Sequence, residues 1–65
     1  MNETWHWLHV RNLSGVAVGM FALNHRHAAE KFAAWKRPAR AYTLEVDTGD
    51  RRYIQRFRVE NGVVK

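Results

Sequence analysis

Residues 4–12, TWHWLHVRN, put two tryptophans, two histidines and an arginine into nine positions of a 65-residue chain. Such residues can ligate a metal, serve catalysis, or offer rings and cations on which a flat ligand stacks. In a strand, alternation sends Trp5, Trp7, His9 and Arg11 to one face and His6, Leu8 and Val10 to the other, so His6 and His9 diverge. His25 and His27, two apart on a helix, stand about 200° apart around its axis. Neither pair can share an ion. With no cysteine and no H-x-x-x-H spacing, no metal site is expected. Catalysis finds as little support: the single serine, Ser14, sits in a turn, no Gly-rich phosphate loop is present, and the acidic residues fall mostly in turns. So short a chain also leaves little room for a concave pocket. Neither an enzyme nor a cofactor is expected.

Stacking remains. Trp5 and Trp7 have two dispositions open to them. In one, one set of strand residues joins the core and the other packs on the sheet or on a second copy. In the other, both rings stand beside arginines on an open sheet face as a platform for bases, where each stacked base contributes about 1–3 kcal/mol.

Composition limits the partners. Eleven Lys or Arg against six Asp or Glu give a net charge of +5 and a pI near 10.5. A surface of that sign attracts phosphates, and each neutralised phosphate releases counterions. The chain reads as one domain, residues 1–65, and a domain this small buries only about 60 % of the surface its unfolded form exposes. Without cysteines a disulfide cannot support it, and self-association as a homodimer is one support left open. There is no basic start followed by an apolar run, and no stretch approaches the roughly 20 apolar residues of a membrane span. The expectation is a cytoplasmic protein with no membrane partner.

The elements that must position these residues follow from punctuation and period. Residues 4–11 read as a strand and LSG (13–15) as a turn. VAVGMFAL (16–23) has the length of a strand buried on both sides, with a buried helix start as the alternative, and Gly19 marks a bulge or a close approach. In NHRHAAEKFAAWKRP, Asn24 can cap a helix and Pro38 stops it. Ala28, Phe32 and Trp35, flanked by Ala29 and Ala33, form its apolar stripe. His25 and His27 lie in the first turn, where free backbone donors favour a phosphate. RAYTLEV (40–46) and RRYIQRFRVE (51–60) alternate on either side of DTGD. Pairing Val46 with Arg51 sets Leu44 opposite Tyr53 and Glu45 opposite Arg52. NG (61–62) is a further turn, and VVK an edge fragment.

The order is β-β-α-β-β, an α+β fold with one helix on one face of an antiparallel sheet. Phe32 and Trp35 are expected to be buried against Leu44 and Tyr53. The other face stays open and carries Thr43, Glu45, Arg52, Arg56 and Arg58. These three arginines, with Lys36, Arg37 and Arg40 at the end of the helix, are the candidates for phosphate contact, and Trp5 or Trp7 for stacking.

The run from Leu23 to Gly62, an alanine-rich helix followed by a hairpin and ENG, resembles the helix-hairpin layout of small proteins encoded by bacteriophages and mobile elements; some anti-CRISPR proteins are similar in size and layout. The resemblance implies a protein that binds a host nucleoprotein machine or its nucleic acid, and it assigns no role to any single residue. Two functions follow. One is a non-enzymatic module contacting nucleic acid through an Arg-rich sheet face. The other is an inhibitor that docks on a host nucleic-acid-processing protein, and a small homodimeric structural protein is the plainest alternative.

Overall fold

The computed structural model describes residues 4–36, 40–50 and 52–65. Its elements are β1 (His6–Asn12), β2 (Ala17–Ala22), α1 (His25–Trp35), β3 (Tyr42–Asp47), β4 (Gln55–Glu60) and β5 (Val63–Val64). The five strands make one antiparallel sheet in the order β2-β1-β3-β4-β5, and α1 packs on one of its faces. This is the expected α+β arrangement, with the terminal fragment supplying the fifth strand. No helix among the described residues is long and apolar enough to cross a membrane.

The first hairpin is set by its turn. Asn12 donates its backbone N–H to the Val16 carbonyl and its own carbonyl accepts the Gly15 N–H, while its side-chain oxygen accepts the N–H groups of Ser14 and Val16. Gly15 takes φ +90°, the left-handed conformation that a three-residue hairpin loop needs at its last position. The register then runs without interruption from Arg11↔Ala17 to His6↔Ala22. Gly19 therefore marks no bulge.

Asn24 caps α1 by accepting the His27 N–H at 2.7 Å. Ala28, Ala29, Phe32 and Ala33 are buried; the three alanines bring the helix close to the sheet, and Phe32 fills the space between them. Beneath lie Leu8, Val10, Leu44, Val46, Val59 and Val64. Trp35 does not join them. It is the last helical residue, its ring leans edge-on against Phe32 at 5.7 Å, and it remains 57 % exposed with the Lys36 ammonium 4.7 Å from its centre. Pro38, expected to stop the helix, lies outside the described residues.

The second hairpin departs from expectation in length. Asp47 accepts the Gly49 N–H, and Asp50 accepts both the Arg52 N–H and the Thr48 hydroxyl. Two successive aspartate turns thus occupy residues that a tight hairpin would leave in its strands. Val46 pairs with Gln55 rather than Arg51, and Leu44 with Phe57 rather than Tyr53. The shift is four residues, an even number, so Phe57 and Val59 keep the face they were expected to have. Tyr53 and Arg52 fall into the loop, and Tyr53 is 71 % exposed. β2 also differs: it is an edge strand with Ala17 and Phe21 exposed, not a strand buried on both sides.

One polar pair lies inside this frame. Asp47 is fully buried, and its second oxygen accepts from the Arg11 guanidinium at 2.7 Å, tying β1 to β3.

Phe32→Ala is expected to cost about 3–5 kcal/mol, comparable to the whole stability of so small a domain, and urea denaturation followed by circular dichroism will measure it. Arg11→Ala strands a buried carboxylate and should cost about 3 kcal/mol, whereas Arg56→Ala, which breaks an exposed pair, should cost under about 1 kcal/mol. Equal losses for the two arginine variants would contradict the burial of Asp47.

Candidate nucleic-acid interface

The register decides what the open face presents. Residues paired across antiparallel strands share a face, so Trp7 stands with Phe21, His9 with Gly19 and Asp47, and Arg11 with Ala17, Glu45 and Arg56, while Thr43 pairs with Arg58. The face is apolar and aromatic toward the start of β1 and ionic toward its end.

At the aromatic end the Trp7 indole lies over Gly19. A Cβ at that position would overlap the six-membered ring. Phe21 meets Trp7 edge-on, with ring centres 4.9 Å apart at 72°. The close approach expected at Gly19 is therefore made by a side chain across the strand pair. Trp7 stays 52 % exposed and Phe21 56 %, so a half-covered indole is held by a neighbour on one side and bare backbone below. Trp5 is not on this face. It precedes β1 and turns to the helix flank, where its ring packs edge-on against His27 at 5.5 Å with the Lys31 ammonium 5.4 Å from its centre.

At the ionic end each arginine meets a carboxylate. Arg11 pairs with Asp47, Arg56 with Glu45 at 2.9 Å, and Arg58 with Glu60 at 3.7 Å. This part of the face is close to neutral, unlike the strongly positive surface expected. Arg56 lies on the Arg11 row, four residues along β1 from Trp7 and two strands across, a separation of about 13 Å by about 10 Å. Trp7 and Arg56 do not form one cluster.

Arg26 and Glu30 make a fourth pair on the helix, and the remaining seven cations and two carboxylates of the sequence carry the +5. Lys36 and Arg40 flank the connection from α1 to β3; Arg37, named with them from sequence, lies outside the described residues. Arg40 and Arg58 together line a groove of about 400 Å³ completed by Asn12, Leu13, Ser14 and Thr43. Tyr42 also borders it, donating its hydroxyl to the Lys36 carbonyl, and burial raises its phenol pKa so that it remains a neutral donor. Two guanidinium groups and two hydroxyls around one concavity suit a phosphate. Arg52 sits apart in the β3–β4 loop. Its backbone bond to Asp50, followed by the Thr48 hydroxyl bond, lowers the Asp50 carboxyl below its ordinary value. A depressed carboxylate stabilises this loop at neutral pH and ceases to as pH falls through the lowered value.

His25 and His27 occupy the first turn as expected, but His27 is engaged: its Nδ1 accepts the Leu23 N–H at 3.0 Å. No group of three or more His, Cys, Asp or Glu that could hold a metal ion occurs among the described residues.

Trp7, Arg58 and Arg40 are candidates on sequence alone and alternation already sets Thr43 on the open face, whereas Phe21 and Ser14 carry no such mark. Phe21 was recoverable, because a three-residue turn at 13–15 places it opposite Trp7. The groove was not, since it joins the β1–β2 turn, the α1–β3 connection and the strands β3 and β4.

Ring current from Trp7 should move the Gly19 Hα resonances upfield; Trp7→Leu should abolish the shift. Gly19→Ala should displace the indole, costing about 1–3 kcal/mol if the ring cannot swing freely outward. Unshifted Gly19 protons in the unmodified protein would contradict this packing.

No protein-family model, no curated protein and no solved structure matches this chain.

Proposed function

We propose that the protein is a non-enzymatic module that binds single-stranded nucleic acid across its open sheet face. The observation that carries this reading is the Trp7 platform: an indole laid over Gly19, braced by Phe21, half exposed, on a face with no helix over it among the described residues. A ring kept in place before binding loses little freedom when a base stacks on it. The strand's phosphates reach the groove of Arg40 and Arg58, with Lys36 adding charge at the same end. Trp5, on the helix flank beside His27 and Lys31, lies off that face and takes no part in this reading.

A second reading is favoured by a separate observation. Because Arg11 and Arg56 already meet carboxylates at 2.7 and 2.9 Å, their part of the face suits a hydrogen-bonded protein surface better than bare phosphates. On this reading the chain is an inhibitor of phage or mobile-element type that docks on a host nucleic-acid-processing protein.

Fluorescence anisotropy with labelled oligo-dT and oligo-U separates the two. Nucleic-acid binding predicts affinity that falls steeply with salt, a slope reduced by about one for each of Arg40→Gln and Arg58→Gln, and a loss of about 5- to 150-fold for Trp7→Ala with the fold retained. Absence of binding to either oligonucleotide and to duplex at physiological salt would move the assignment to the protein-docking reading.

A further inference from the structure

The outer edge of β2 carries a geometric property that nucleic-acid binding does not use. Backbone bonds between β1 and β2 alternate, and the bond from the Asn12 N–H to the Val16 carbonyl fixes their phase. Asn12↔Val16, Val10↔Val18, Leu8↔Met20 and His6↔Ala22 are therefore the bonded pairs. Ala17, Gly19 and Phe21 direct their N–H and C=O groups away from β1, toward the free edge. No other strand among the described residues pairs with that edge. The Lys31 ammonium donates to the Phe21 carbonyl there.

Edge strands are normally guarded by charge, proline, a bulge or brevity. β2, AVGMFA, has none of these in its own residues, being six residues long, uncharged, free of proline and regular in register; the charge at this edge is the Lys31 ammonium reaching one carbonyl from α1. The other edge, β5, has two residues.

The strand is also complementary to itself. Set antiparallel about a twofold axis at Gly19, Ala17 faces Phe21 of the second copy, Val18 faces Met20, and Gly19 faces Gly19. Each large residue thus meets a small one on the open face, and apolar meets apolar on the helix face. Ala17, Gly19 and Phe21 would each exchange two backbone bonds with their counterparts. The Phe21 carbonyl has two lone pairs, so it can accept the new N–H while keeping Lys31. With the axis perpendicular to the sheet, both helices fall on one side and both Trp7–Phe21 pairs on the other.

We infer that β2 is the dimerisation edge of this protein: two copies pair β2 to β2 in this register, forming a ten-stranded sheet. This does not rest on the nucleic-acid reading. The partner is a second copy because one register pairs residues 17–21, five of the strand's six, in both directions at once, large against small on one face and apolar against apolar on the other, as an isologous interface requires.

Sedimentation equilibrium of the full chain over a concentration series should give about twice the 7.7 kDa chain mass at the upper end. Ala17→Pro is the decisive variant. Its missing N–H is one the monomer's ladder does not use, and edge strands tolerate proline there. It should weaken self-association about 10- to 100-fold, because the twofold removes two backbone bonds at once, with the circular dichroism spectrum unchanged. Phe21→Lys, which puts charge at the interface, should do the same. In a mixture of labelled and unlabelled chains, an intermolecular Hα–Hα NOE should join Val18 to Met20 of the second copy. Added salt should strengthen the dimer by screening two +5 chains from each other, the opposite of its effect on oligonucleotide binding. Failure of one proposal is thereby distinguishable from failure of the other. A monomer at all concentrations, or a dimer indifferent to both substitutions, would overturn the assignment.

Discussion

The structure depends on one packing constraint: a single helix, whose buried face is three alanines and one phenylalanine, must cover a sheet of five strands. Small residues let α1 descend until Phe32 reaches Leu8, Val10, Leu44, Val46 and Val59. Dispersion between close-packed atoms and removal of apolar area from water stabilise that contact. The same economy leaves the opposite face without a second layer. Everything notable about that face is a way of living with water on one side of a thin fold.

Two devices meet the need. One is ionic: Arg11, Arg56 and Arg58 each find a carboxylate on the same or the next strand, so the face is polar without a strong field. Their weights differ. The exposed pairs contribute little, since water screens them; the Arg11–Asp47 pair closes over a buried carboxylate that also holds the Gly49 N–H and thereby the start of the β3–β4 loop. The other is aromatic: Trp7 covers the bare backbone at Gly19, which lacks a side chain to pack, and Phe21 braces the ring. Stabilising the sheet and presenting a flat ring to a ligand are one arrangement. Neutralising the face, meanwhile, moves the excess positive charge to the α1–β3 connection, the loop after β3 and the helix flank, so aromatic and phosphate-binding groups stand at different ends.

Much of this was legible in the residues. Asn24, the alanine stripe around Phe32 and the NG turn define local structure by short-range chemistry, and alternation assigned Leu44, Val46, Phe57 and Val59 to the core even though the hairpin register was displaced, because a shift of an even number of residues preserves the face. The order β-β-α-β-β and the open face follow from the same patterns. A net charge of +5 was legible as well, since it is only a sum.

What tertiary structure decided was everything that depends on distance between segments. Trp35 and Tyr53 match the core pattern in type and period yet stay exposed, since a helix end and an aspartate-turned loop carry them off the sheet. Trp5 shares parity with Trp7 but precedes the strand, so alternation does not bind it, and it goes to His27 and Lys31. Composition counts arginines without their partners; only strand pairing brings Glu45 to Arg56 and Asp47 to Arg11. Local sequence determines the conformation of each segment because its causes lie within a few residues. Which side chains meet, and so which surface is free to bind, depends on long-range register, which the chain acquires only when the sheet closes.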